Sequence, residues 1–161
     1  MNRLTRVLTA INVLALWLSG LGLVAMTAVV AWQVYGRYVL NESPTWAEPL
    51  SLILMSWFIF LGAAVGVREG YHLGFDVLQA YAPVWLAGLF ATVSDLVVII
   101  FGFAMAWYGW LLMAGTWNAT IPSLGLPGGF DFMPVVAGGA LFVLFGLERL
   151  LVRMTGAEAS S

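Results

Sequence analysis

The chain has 161 residues, of which 62% are hydrophobic and 9% charged. A soluble domain usually carries about 25% charge. Six arginines, no lysine and eight acids give a net charge of −2. That balance excludes a basic stripe for nucleic acid and a phosphate loop ending in lysine. The absence of cysteine removes disulfides, thiolate metal sites and a cysteine nucleophile.

The few charges sit in short intervals, and the runs between them are long enough to cross a bilayer. The composition therefore predicts an all-α integral membrane protein with a single domain over residues 1–161. The first run, about 7–34, follows Arg3 and Arg6 as a signal peptide would. It is roughly twice the ~7–15 residues of a signal h-region, so it reads as a retained first transmembrane helix. The second run, about 46–67, follows Pro44, with Thr45 as the expected N-cap. Glu48 and Arg68 bracket it, about 30 Å apart at ~1.5 Å per residue. That is the thickness of the hydrocarbon core.

The stretch that comes next, "VREGYHLGFDVL", gathers Arg68, Glu69, the single histidine His72, and Asp76. His72 and Asp76 lie four apart, a spacing that shares one face of a continuous helix. Gly70 and Gly74 interrupt that helix, and a zinc site needs three or four ligands. The reading is structural. Arg68 and Glu69 end the second helix at the headgroups, and the glycines turn the chain. Asp76 then caps a short interfacial helix, "VLQAYA", which Pro83 ends. Arg68 is expected to pair with Glu69, Asp76 or a carboxylate of a partner.

The third run is about 84–115, interrupted only by Asp95. Leu96 to Gly115 alone is long enough to span, so Asp95 need not lie at the midplane. A coupling path usually needs several polar groups at one depth, and only Ser94 is adjacent. Asp95 is therefore read as an interfacial or partner-paired acid in preference to a proton- or ion-coupling one. The segment "TWNATIPSLGLPGGFDFMP" predicts an irregular, ordered loop. The fourth run is about 133–152, ended by Glu148, Arg149 and Arg153, and the tail 154–161 is expected to be disordered.

With both termini in the cytoplasm (N-in/C-in), the inner segments hold Arg3, Arg6, Arg68, Arg149 and Arg153, and the outer ones hold Arg37. This follows the positive-inside rule. Trp46, Trp110 and Trp117 fall near the outer boundaries, where indole rings favour the interface. Glu48 suits the first turn of its helix, and Arg37 is a candidate partner for it. Gly62 and Gly66 form a GxxxG pattern that lets a neighbouring helix approach closely. One histidine provides neither a Ser-His-Asp arrangement nor paired haem ligands, so catalytic, cofactor and metal residues are expected to be none.

The order of these landmarks carries a resemblance. "GRYVLNESPTWAEPLSLILMSWFIFLGAAVGVREGYHLGFDVL" resembles the signature region of the small membrane subunit (DctQ-like) of tripartite ATP-independent periplasmic (TRAP) transporters. The matching features are Arg37, Trp46, Glu48, "FLGAA", Arg68, and His72 followed by Asp76. "IPSLGLP" and "MPVVAGG" are similar to the family's second loop and fourth helix. Many members place two adjacent acids after the tryptophan, whereas Pro49 follows Glu48 here.

The resemblance implies a bacterial inner-membrane transporter complex. A periplasmic binding protein delivers an organic acid, and a large multi-span subunit carries it with coupling ions, typically sodium. This chain scaffolds that subunit among membrane lipids and performs no catalysis. Arg37, Trp46, Glu48, Arg68, His72 and Asp76 are then positioning residues at the two membrane faces; Gly62, Gly66 and Asp95 join them as helix-contact candidates. The rival readings are a redox-enzyme membrane anchor and a small self-assembling exporter.

Overall fold

The computed structural model describes residues 3–70 and 84–155. Four long helices dominate it: α1 (Arg3–Tyr38), α2 (Ala47–Glu69), α3 (Val84–Thr116) and α4 (Met133–Thr155). Each is long and apolar enough to cross a membrane. In hydrocarbon a helix satisfies its backbone within one segment, which is why unbroken apolar runs take this form. α1, α3 and α4 match or run beyond the apolar limits read from the sequence, and α2 starts one residue later and ends two later. The fourth continues to Thr155. The segment assigned to a short interfacial helix lies outside the described residues.

The helices pack in the order α1–α2–α4–α3. It is an open row, in which α1 and α3 do not share a packed face. Burial follows position in that row. In the most apolar stretch of α1 6% of residues are buried, against 28% in α2. The core lies along the central seam, where Ala64 and Val67 of α2 meet Phe142 and Phe145 of α4. A second cluster of Ala15, Leu61 and Val65 joins α1 to α2.

Apolar side chains gain little by leaving lipid for each other, so close packing has to hold such a row together. Small residues provide it. A methyl placed on Gly139 would meet Ala106 N at 2.6 Å and Gly102 O at 2.7 Å, so α3 and α4 cross nearly backbone to backbone. On the other side of α4, a methyl on Gly138 would come within 2.7 Å of Phe60 Cβ in α2. The expected GxxxG pair divides. Gly62 faces Ser19, whose Oγ would lie 2.9 Å from an added methyl, while Gly66 faces open space. Gly66 contributes its carbonyl, which accepts from the N–H of Gly70 at 3.1 Å, and Gly70 ends α2 in the left-handed region at φ 72°.

The start of α2 departs from expectation. Trp46, not Thr45, is the N-cap residue, and no side chain caps the helix. The Pro44 carbonyl accepts from Ala47 N at 3.2 Å instead, so a proline-led turn provides the acceptor that a threonine hydroxyl was expected to supply.

The connection between α3 and α4 is ordered by short-range bonds. β1 (Thr120–Ile121) and β2 (Leu126–Pro127) pair antiparallel, with Thr120 opposite Pro127 and Ile121 opposite Leu126. A 3-10 turn, Gly128–Asp131, follows. Trp117 stacks on Phe130 with ring centroids 6.1 Å apart. The loop is thereby pinned to the end of α3, as its proline and glycine content led one to expect.

Candidate functional site: a polar network joining all four helices

At the arginine-rich end of the row, side chains from every helix meet. Arg68, in the last turn of α2, forms a two-pronged pair with Glu148 of α4. Its Nε donates to Oε2 at 2.8 Å and its Nη2 to Oε1 at 3.0 Å. Two parallel N–H···O bonds fix orientation as well as distance. Arg68 Nη2 also donates to Thr9 Oγ1 of α1 at 3.0 Å. Its guanidinium lies 5.7 Å from the ring centre of Phe145, adding a cation–π contact. The sequence pointed to Glu69, Asp76 or a partner chain as the acid for Arg68. Among the described residues the acid bonded to it is Glu148, on a helix that lies next to α2 in space and distant from it in sequence, while Asp76 lies outside them.

Asp95 is the most buried charge among the described residues, at 2% exposure. It has two cations within its own chain: Arg149 Nε lies 3.3 Å from Oδ1 and Arg153 Nη2 lies 3.3 Å from Oδ2. The four-residue spacing of the arginines puts both on one face of α4. Arg149 also crosses the central seam, where Nη1 donates to the Val67 carbonyl of α2 at 2.6 Å. That carbonyl lies in the last turn of α2 and has no helical partner among the described residues. One arginine thus ties α3, α4 and α2 together. A buried carboxylate without such partners would cost several kcal/mol.

α1 enters through Asn12, which is 5% exposed and donates from Nδ2 to Glu69 Oε1 at 3.4 Å. Asn12 Oδ1 has no donor among the described residues. Thr9, Asn12, Val13, Arg68, Glu69, Glu148, Arg149 and Val152 line a cleft of about 490 Å³.

The opposite end is built differently. Arg37, Trp46 and Glu48 are exposed there, and among the described residues Arg37 and Glu48 form no ion pair. Backbone bonds do the joining. Glu42 N donates to the Gly36 carbonyl at 3.0 Å, and Asn41 turns the chain at φ 52°. His72 and Asp76 lie outside the described residues.

The network thus joins two of the residues singled out from sequence, Arg68 and Asp95, to several that were not: Thr9, Asn12, Glu148, Arg149 and Arg153. The last three were read only as markers of a helix end. The available signal was electrical: a buried acid in α3 needs a cation, and α4 ends in two arginines one turn apart.

The family model for tripartite ATP-independent periplasmic transporters, DctQ component, matches residues 26–156. A C4-dicarboxylate TRAP transporter small permease protein DctQ from Vibrio cholerae is 33% identical over 94 residues, 58% of this chain and 38% of that protein. A putative TRAP transporter small permease protein from Haemophilus influenzae is 26% identical over 129 residues, 80% of each chain. A sialic acid TRAP transporter small permease protein SiaQ from Vibrio cholerae is 27% identical over 59 residues, 37% of this chain and 34% of that one. The match thus spans well under half the length of two of these relatives and most of the third.

Proposed function

The chain belongs to the DctQ-component family of TRAP transporters, and from that premise we propose that it is a non-catalytic scaffold for the large transport subunit. As a member it is a transmembrane small subunit of a transporter. In the proposed role it sits in the bacterial inner membrane and holds the large multi-span subunit in place. That subunit takes up an organic acid, coupled to an ion such as sodium, after a periplasmic binding protein delivers it. The names of the relatives include C4-dicarboxylate and sialic acid, which favours an acid as substrate here.

The observation that carries the scaffold reading is the closure of the charges on one another. Asp95 is held by Arg149 and Arg153, and Glu148 by Arg68. A group committed to fixed ion pairs braces helices. A group that escorts a solute has to exchange partners. Alternating access needs a stationary frame for the moving part, and an internally braced row of helices serves as one.

In the proposed orientation both termini face the cytoplasm. The Arg68–Glu148 end is cytoplasmic by the arginine bias, and the Trp117–Phe130 loop faces the periplasm. Arg37, Trp46, Glu48, Gly62, Gly66, Arg68 and Asp95, with His72 and Asp76 beyond Gly70, are positioning or interface residues. The loop over 116–134 forms part of the surface that meets the binding protein. Deleting this chain's gene while retaining the other two subunits should abolish substrate uptake. Undiminished uptake would refute the scaffold role.

A further inference from the structure

The cleft at the arginine-rich end and the lipid-facing side of α1 together have the shape of one molecule. We infer that they form a binding site for a phospholipid whose headgroup carries both a phosphate and a primary ammonium, that is, phosphatidylethanolamine.

Both signs of charge line the cleft. Arg68 and Arg149 supply cationic donors, and Glu69 and Glu148 supply carboxylates. A headgroup with only a negative charge would set its phosphate against the two glutamates. One with only a positive charge would face the two arginines. A zwitterion satisfies both. Arg68 commits Nε and Nη2 within the protein, and Arg149 commits Nε and Nη1. Among the described residues, one terminal nitrogen of each guanidinium is left for a phosphate. Glu69 accepts one long bond, from Asn12 at 3.4 Å, and Asn12 Oδ1 has no donor among the described residues. Glu69 is exposed, and its carboxylate accepts from an ammonium placed in the cleft. Trimethylammonium carries no N–H and cannot make that bond.

The apolar half of the site continues from the cleft. Val13 is part of the cleft wall, and Leu16, Trp17, Gly20, Leu21 and Val24 line a groove of about 430 Å³ farther along α1. Val13, Trp17, Gly20 and Val24 are spaced four, three and four residues apart, so they share one helix face. Trp17 is 68% exposed, and a methyl on Gly20 would meet nothing within 4 Å, so the groove is open to an acyl chain. From Val13 to Val24 the helix rises about 16 Å at ~1.5 Å per residue. That is one leaflet of a ~30 Å hydrocarbon core. A polar cleft at the helix ends, followed by a single leaflet's length of groove, is the outline of a phospholipid.

The test uses the full-length chain, delipidated in detergent and offered palmitoyl-oleoyl phosphatidylethanolamine, phosphatidylcholine or phosphatidylglycerol, with retention read by native mass spectrometry. Phosphatidylethanolamine should be held about tenfold more tightly than either other lipid, the difference expected of one hydrogen bond to a charged group. E69Q should erase that preference. G20F, which fills the groove, should weaken all three lipids and keep their order. Circular dichroism verifies that each variant is folded, and the wild-type ranking stands without the variants. Equal retention of the three lipids, or an E69Q variant that keeps the preference, would overturn the proposal. So would full displacement by soluble glycerophosphoethanolamine, which would make this a site for a free phosphoamine. If the chain purified together with the large subunit retains no phosphatidylethanolamine, the stripe belongs to a protein helix and the proposal falls.

Discussion

The two ends of the helix row solve the same problem with different chemistry. At one end, side-chain charges bridge helices: Arg68 to Glu148, and Arg149 to Asp95 and the Val67 carbonyl. At the other, the backbone closes on itself through Glu42 N to Gly36 O, and the charged side chains Arg37 and Glu48 form no ion pair among the described residues. The difference teaches where each end is finished. Charges consumed inside the chain make a self-contained brace. Charges left exposed at a membrane face are available to something outside it.

Removing a member of the brace should have the largest effect. R149A leaves Asp95 with one cation and strips the Val67 carbonyl of its donor. Breaking a buried pair in this way costs about 3–5 kcal/mol. A large drop in the thermal midpoint in detergent is expected, partly recovered in D95L/R149M, where neither charge remains. No recovery in the double variant would show that Arg149 matters through Val67 alone.

At the opposite end the sensitive position is a backbone contact. A methyl on Gly36 would lie 2.8 Å from the Glu42 carbonyl. G36V should cost about 1–3 kcal/mol, the usual range for overpacking, measured by the same melt. A neutral outcome would mean that this end tolerates rearrangement and is no counterpart to the brace.

Smaller still is the intrinsic effect of the exposed charges. R37Q and E48Q should leave the melting temperature of the isolated chain at its wild-type value, since neither forms an ion pair among the described residues. If these residues position a partner, both variants should lower uptake by the assembled transporter or recovery of the large subunit in pull-down. Wild-type uptake in both would remove them from the interface.

The smallest predicted change is with salt. Arg68 and Glu148 are mostly shielded, with side-chain exposures of 17% and 14%. Screening acts weakly on such pairs, so raising ionic strength from ~0.1 to ~1 M should barely shift the melt. A clear salt-induced loss of stability would show the brace to be solvent-accessible.

Much of this contrast was legible in the residues. Four apolar runs separated by charge specify four spans, because hydrocarbon permits few alternatives to a helix. Asp95 stood out as a carboxylate that needed explaining. Its partners did not, since they depend on which helices are neighbours, and nothing in one sequence orders α4 between α2 and α3. The same ignorance kept Glu148 out of the acids considered for Arg68. GxxxG named Gly62 and Gly66 together, but only Gly62 faces a neighbour, Ser19 of α1, while Gly66 faces open space. The tighter contact, Gly102 against Gly139, has its cue in glycines on two different runs. The loop's order was readable from proline and glycine, whereas the Thr120–Pro127 register depends on local bonding that composition does not encode.

The open row has a mechanical consequence. Four helices side by side, with neighbouring axes about 8–10 Å apart, make a palisade roughly 25–30 Å from first axis to last. Such a slab resists tipping in the bilayer, because any rocking motion drags polar helix ends into oil at both extremities. In the proposed role it is a keel for the large subunit, holding that body upright while its interior moves.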